Sequence, residues 1–155
     1  VLAMLYSIRV FAGSLVVNVP LSFWLISFST FIFLSLAFLK RYSELISLTD
    51  KDILKKQSRG YYYEDKNLVQ GMGIASGFLA IVVFALYINS NEVMVLYSRP
   101  KVLWPISFLL LFWIGRIWLF TTRGKMTDDP IVFSLKDITS YFVFLLCGIL
   151  MLAAL

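Results

Sequence analysis

The stretch VFAGSLVVNVPLSFWLISFSTFIFLSLAFL, residues 10–39, contains no charged residue. A helix needs about 20 apolar residues to cross the core of a bilayer, so this stretch exceeds one ordinary span. Proline lacks a backbone N–H and disfavours helix in the preceding residue, which favours a chain reversal at Asn18-Val19-Pro20. We therefore predict two membrane spans here, over residues 1–17 and 21–41.

The remaining apolar stretches predict three further spans, over residues 68–88, 102–120 and 138–155. Of all residues, 60% are hydrophobic and only 15% are charged, whereas soluble domains are about a quarter charged. The stretches lack the alternation of membrane β-strands. The sequence thus predicts an all-α, polytopic transmembrane helical bundle with about five spans.

The basic residues are concentrated between the predicted spans. Residues 40–67 hold seven Lys or Arg and residues 121–137 hold three, so these two segments carry ten of the 14. Because cytoplasmic loops are enriched in Lys and Arg, we expect loops 42–67 and 121–137 to be cytoplasmic. This topology also explains the net charge of +5, so we expect no nucleic-acid partner.

Several kinds of chemistry are excluded by composition. The chain has no histidine and a single cysteine, which removes histidine-based catalysis, haem ligation by histidine and an internal disulfide. Cys147 lies in the apolar stretch YFVFLLCGILML and is expected to be an inert packing residue.

Two arginines fall inside predicted spans, Arg9 in the first and Arg116 in the fourth. A guanidinium within lipid costs about 2.5 to 3.5 kcal/mol on insertion scales, so each needs a partner or a polar cavity. Both could bind an anion. The alternatives are structural pairing and, for Arg116, extension of the side chain toward the cytoplasmic surface.

The second span ends in AFLKRYSEL, residues 37–45. Helical spacing brings Lys40 and Arg41 beside Glu44. This cluster is either a positive flank with a weak surface ion pair or a clamp for phosphate or diphosphate.

Two further polar motifs follow. In SRGYYYED, residues 58–65, the acids could bind a ligand or simply favour a helix N-terminus. In DDPIVFSLKD, residues 128–137, Asp129 is expected to be an N-cap and Pro130 the first helical residue, which leaves Asp128 unexplained.

These motifs resemble the C-terminal half of the UbiA superfamily of intramembrane prenyltransferases. The resemblance extends over essentially the whole chain and is carried by RVFAG (9–13), KRYSEL (40–45), RGYYYED (59–65) and DDPIVFSLKD (128–137). It implies that the five spans are the last five of nine helices. It also implies a missing N-terminal half with the family's NDxxDxxxD motif, which binds magnesium and diphosphate, so the chain alone should be inactive.

The resemblance departs from the aromatic prenyltransferases at one motif. Their second aspartate-rich motif, DxxxD, is replaced here by Lys40-Arg41-Tyr42-Ser43-Glu44. This KRxxE pattern resembles the branch containing polyprenyl-phosphate phosphoribosyltransferases. The implied function is Mg²⁺-assisted prenyl transfer from a prenyl diphosphate, and the alternative is phosphoribosyl transfer from phosphoribosyl diphosphate to a polyprenyl phosphate.

The resemblance and the charge pattern together give a set of candidate site residues. The catalytic candidates are Lys40, Arg41 and Glu44; the substrate-binding candidates are Arg9, Tyr42, Arg59, Tyr61, Arg116 and Asp128; the metal candidates are Glu44 and Asp65. The expected partners are the lipid bilayer, the prenyl diphosphate or polyprenyl phosphate, and the N-terminal half of the protein. The expected location is a bacterial inner membrane. A transporter or a non-catalytic membrane component is the alternative from another class, since intramembrane arginines also line ion paths.

Overall fold

A computed structural model describes residues 22–47, 62–126 and 129–155, together with residues 5, 8, 9, 12 and 13. All regular secondary structure in these parts of the chain is helical. The helices are α1 (Phe23–Ile46), α2 (Lys66–Ile88), α3 (Asn91–Leu96), α4 (Trp104–Thr122), α5 (Pro130–Lys136) and α6 (Ile138–Ala154). Short 3₁₀ turns, Tyr63–Asp65 and Pro100–Leu103, lead into α2 and α4.

Three helical segments are long and apolar enough to cross a membrane: Phe23–Ile46, Tyr63–Ile88 and Pro100–Thr122. In the described residues they confirm the prediction of an all-helical fold with helices that could cross a membrane. The fourth apolar helix, α6, is shorter, with 17 residues. The predicted span over residues 1–17 lies almost wholly outside the described residues.

The first long helix extends beyond the predicted membrane span. α1 continues to Ile46, five residues past the predicted span end at 41, so its last turn lies in the segment that we expect to be extramembrane. The physical reason is that the apolar face continues by one more turn, because Tyr42 and Leu45 are buried. The whole KRYSEL motif is therefore held on a rigid helix.

Neighbouring long helices run in opposite directions. Phe28 of α1 packs against Phe84 of α2, whereas Ser35 bonds to Gly73. In the same way Trp113 and Arg116 of α4 meet the first residues of α6. The C-termini of α1 and α4 therefore lie with the N-termini of α2 and α6 at one end, which we call the basic end; the opposite end, with Ile88 and Trp104, is the far end.

A face of small residues on α2 allows the long helices to approach closely. The buried residues of this face include Gly73, Ser76, Gly77 and Ala80. A Cβ atom at Gly73 would lie 2.3 Å from the Trp118 ring and 2.8 Å from Phe38 Cβ. Ser35 Oγ donates a hydrogen bond to the Gly73 carbonyl at 2.7 Å. Small residues four apart are a common helix-packing device in membranes, where backbone contact replaces the hydrophobic effect.

Replacing Gly73 by alanine should destabilise the bundle. The added methyl group must displace the Trp118 ring, and overpacking of this kind costs roughly 1 to 3 kcal/mol. The measurement is the thermal unfolding midpoint in detergent. Gly71→Ala is the matched control, because a Cβ there meets nothing within 4 Å, so that variant should unfold no earlier than wild type. Equal midpoints for both variants would contradict the close-packing interpretation.

Candidate functional site

A cavity of about 360 Å³, with charged and hydroxyl-bearing side chains in its lining, lies at the basic end of the bundle. It is formed by the last two turns of α1 and by the segment that joins α4 to α5. Its lining residues are Lys40, Ser43, Glu44, Ile46, Ser47, Gly124, Met126 and Asp129. The cavity thus lies at the C-terminal end of α1, a helix that is long and apolar enough to cross a membrane.

The α1 side of the cavity follows from helical periodicity. Lys40, Ser43, Glu44 and Ser47 are spaced by three or four residues, and such residues share one face of a helix. In the helix, the polar residues of this segment therefore form one continuous polar stripe. The stripe faces the cavity, whereas Tyr42 and Leu45 of the same motif are buried in the core.

The opposite side is formed by a sharp turn after α4. Gly124 adopts a left-handed backbone conformation with φ of 66°, which glycine tolerates without a steric penalty. Its N–H donates to the Thr121 carbonyl at 2.9 Å. The chain then turns back toward α1, where Ser43 Oγ donates to the Met126 carbonyl at 3.2 Å. This turn brings residues more than 80 positions apart in the sequence into one site.

An ion pair between Lys40 and Asp129 connects the two sides of the cavity. Lys40 Nζ donates to Asp129 Oδ2, and the two side chains are 30% and 33% exposed. Asp129 also precedes α5, where its carbonyl accepts from Phe133 N at 2.8 Å. Pro130 is the first helical residue, as the sequence predicts. Because the pair is partly solvated, an anionic ligand that enters the cavity can compete with Asp129 for the ammonium group.

The second ion pair of the motif joins Arg41 to Glu44. Arg41 NH1 lies 2.5 Å from Glu44 Oε2, in the i,i+3 arrangement that helical spacing predicts. Glu44 lines the cavity and Arg41 does not appear in the lining. The structure therefore separates the two cations: Lys40 contacts the cavity directly, and Arg41 fixes a carboxylate at its edge.

Arg116 belongs to a separate polar cluster between α4 and α6. Its guanidinium makes two hydrogen bonds to Asp137, at 2.5 and 2.9 Å, and lies 4.6 Å from the centre of the Phe120 ring. Asp137 also accepts from the Ser140 hydroxyl at 2.7 Å, and Trp113 Nε1 donates to that hydroxyl at 3.0 Å. The geometry therefore matches the structural-pairing alternative for Arg116.

The other candidates occupy different places. Tyr42 is buried and packs against Trp118, with ring centres 5.9 Å apart, so it belongs to the core. Asp65 accepts a hydrogen bond from Tyr62 N at 2.9 Å, which is a helix-start role. Arg9 is an exposed helical residue. Three candidates lie outside the described residues: Arg59, Tyr61 and Asp128.

The described residues form no group of three or more His, Cys, Asp or Glu side chains that could hold a metal ion. Glu44 and Asp129 share the cavity, but Arg41 and Lys40 bind their carboxylates. Of the two metal candidates, only Glu44 lines the cavity. The described part of the chain therefore does not by itself fit a magnesium site.

Several residues that line the cavity are not among the candidates predicted from the sequence. Ser43 and Ser47 could have been found, since they follow Lys40 at helical spacing. Asp129 was explained as a cap, and no local signal pairs it with Lys40, which is 89 positions away. Met126 contributes a backbone carbonyl, a role that is independent of residue type.

Comparison with known proteins gives two relatives. The chain is 35% identical over 144 residues to the uncharacterized protein y4nM of Sinorhizobium fredii, a match that covers 92% of this chain and 28% of the relative. It is 28% identical over 137 residues to the nodulation protein NoeC of Azorhizobium caulinodans, covering 88% of this chain and 45% of that protein. The chain thus spans less than half the length of both relatives. No protein-family model and no solved structure matches it.

The stability of the bundle should depend on acid through Asp137. Hydrogen bonding to Arg116 lowers the pKa of this carboxyl from 3.8 to about 2, against the opposing effect of burial. A lowered folded-state pKa stabilises the protein above pH 4, and this contribution is lost as the pH falls toward 2. Unfolding midpoints in detergent across this range should fall in wild type and change less in Asp137→Asn. Identical acid profiles for the two proteins would contradict this role.

Proposed function

We propose that this chain is part of an integral membrane transferase of the UbiA type, which transfers a prenyl group from a prenyl diphosphate. The observation that supports the proposal is the Lys40 cavity, which places an ammonium group at the end of helices that are long and apolar enough to cross a membrane. An amphiphilic donor needs both features. Its hydrocarbon chain lies among apolar helices, and its diphosphate lies at the polar end.

In this reaction the bond between prenyl C1 and the diphosphate oxygen breaks, and diphosphate leaves with the electron pair. A new bond forms between C1 and the acceptor nucleophile. Lys40 stabilises the negative charge that develops on the leaving group, once the donor has displaced Asp129. Arg41 acts through Glu44, whose carboxylate it holds at the edge of the cavity.

We infer a requirement for magnesium only from the resemblance to the UbiA superfamily. The described carboxylates of the cavity are Glu44 and Asp129, and both are occupied by cations. The remaining ligands would come from the aspartate-rich motif of the N-terminal half. We therefore assign no step of the reaction to a metal held by this chain.

We propose that the five predicted spans correspond to the last five of nine helices and lie in a bacterial inner membrane. The basic end faces the cytoplasm, because Lys40, Arg41, Lys66, Arg123 and Lys125 lie there and the positive-inside rule then applies. Soluble diphosphate donors and released diphosphate would thus exchange with the cytoplasm. The much greater length of both relatives is compatible with further helices elsewhere in the protein.

A second candidate is phosphoribosyl transfer to a polyprenyl phosphate. The observation that favours it is that the Ser43 and Ser47 hydroxyls accompany the Lys40 ammonium. Both hydroxyls donate to backbone carbonyls, so their oxygens can accept hydrogen bonds from sugar hydroxyls. Here the bond from ribose C1 to diphosphate breaks, and a phosphate oxygen of the lipid bonds to C1. In this reaction too, the Lys40 ammonium stabilises the departing diphosphate.

Radiolabelled donors distinguish the two reactions. Membranes that contain the whole protein are incubated with labelled prenyl diphosphate, or with labelled phosphoribosyl diphosphate and polyprenyl phosphate, and the lipid extract is separated. Label from the first donor supports prenyl transfer, and lipid-linked label from the second supports phosphoribosyl transfer. Failure of both donors would favour the transporter or non-catalytic alternative.

Lys40→Ala should lower transfer about 100-fold or more in the whole protein, the loss expected for a charge-stabilising group. Arg41→Ala should lower transfer less, because Arg41 acts on the cavity only through Glu44. The measurement is the initial rate with saturating donor. Lys66→Ala is the control at the same end, because its ammonium binds the Tyr63 hydroxyl at 2.9 Å and is absent from the cavity lining. A nearly wild-type rate in Lys40→Ala would contradict the clamp.

Asp129→Asn should strengthen the binding of inorganic diphosphate several-fold, because Lys40 loses its carboxylate competitor. Asparagine caps helices about as well as aspartate, so the start of α5 should be preserved. The measurement is the inhibition constant of inorganic diphosphate, with the unfolding midpoint as a check of the fold. Weaker or unchanged inhibition by a stably folded variant would contradict competition at Lys40.

A further inference from the structure

A short helix at the far end exposes three consecutive apolar side chains. In α3, Met94 is 65% exposed, Val95 90% and Leu96 59%. Such a run is unfavourable in water. We propose that α3 is an interfacial helix that inserts these three side chains into the phospholipid surface at the far end of the bundle.

The rest of α3 is attached to the protein. Val93 is fully buried and Tyr97 is 9% exposed, and Tyr97 N donates to the Val93 carbonyl at 2.8 Å. Glu92 accepts a hydrogen bond from the Ser22 hydroxyl at 2.8 Å, at the start of α1. One side of α3 is therefore fixed to the bundle, and the exposed run is held in one orientation.

The position of α3 favours lipid as its occupant. The helix lies between the end of α2 at Ile88 and the turn that starts at Pro100, so it stays close to the ends of two membrane-crossing segments. Leu86 and Val82, two and six residues before the end of α2, are about half exposed. The apolar run of α3 thus continues the surface that the long helix presents to hydrocarbon.

The charges that follow α3 complement a phospholipid surface. Arg99 and Lys101 are exposed basic residues, and Trp104 is 41% exposed at the start of α4. Basic side chains bind lipid phosphates, and tryptophan is favoured at the headgroup level. Apolar insertion followed by basic and aromatic residues is the arrangement of a helix that lies in the plane of the interface.

A fluorescent label tests this placement. In a Cys147→Ala background, Val95→Cys is labelled with the polarity-sensitive dye NBD, and the protein is reconstituted in phosphatidylcholine nanodiscs. Asn91→Cys is the matched control, because Asn91 is a polar, exposed residue of the same helix. We expect emission at shorter wavelength, and roughly two-fold stronger quenching by lipids doxyl-labelled near the carbonyl, at position 95 than at 91.

Two outcomes would overturn the proposal. Equal quenching of both labels by aqueous iodide would place α3 in water. The short-wavelength emission could instead be lost when each nanodisc contains a single chain. That result would show that a second copy of the chain, and not lipid, covers the exposed side of α3. Met94→Cys repeats the measurement if the Val95 variant folds poorly.

The contribution of Arg99 and Lys101 can be measured separately. Adding anionic phosphatidylglycerol to the nanodiscs should increase lipid quenching at position 95, because Arg99 and Lys101 draw this end toward the headgroups. The Arg99→Gln, Lys101→Gln double variant should lose that increase. An unchanged response in the double variant would overturn the contribution of these two charges.

Discussion

The contact between Gly73 and Trp118 determines how the long helices are arranged. Because glycine has no side chain, the indole ring occupies space that a Cβ atom would fill. Ser35 joins the same point from α1, donating to the Gly73 carbonyl and accepting from Trp118 Nε1 at 3.2 Å. Three helices thus meet at one position about one turn from Lys40. This contact brings the end of α1 beside the turn that follows α4, and the cavity depends on that proximity.

Two long-range ion pairs among the described residues differ in exposure and therefore in what they can do. Arg116 and Asp137 are 18% and 15% exposed, and further hydrogen bonds hold the carboxylate. Breaking such a buried pair leaves an uncompensated charge, which is costly. Lys40 and Asp129 are about twice as exposed, so water can replace either partner. The first pair joins α4 to α6, whereas the second is suited to exchange with a ligand.

Charge-free stretches of sequence predicted the long helices because a membrane span is a local property of about 20 residues. α1 continues five residues beyond the predicted span, because Tyr42 and Leu45 are buried against the rest of the bundle. The cavity could be predicted only in part. The polar stripe on α1 follows from helical period, but the approach of Asp129 depends on the Gly124 turn and on helix packing, which no local pattern encodes.

The adjacent cations of the KRYSEL motif perform different tasks for a geometric reason. Successive residues of an α-helix differ by about 100° around its axis, and here Lys40 lines the cavity whereas Arg41 does not. Lys40 shares its face with Ser43, Glu44 and Ser47. Arg41 NH1 donates one hydrogen bond to Glu44 Oε2, so this guanidinium acts on the cavity only through that carboxylate. A lysine at position 41 would keep the charge but lose the planar geometry of the guanidinium.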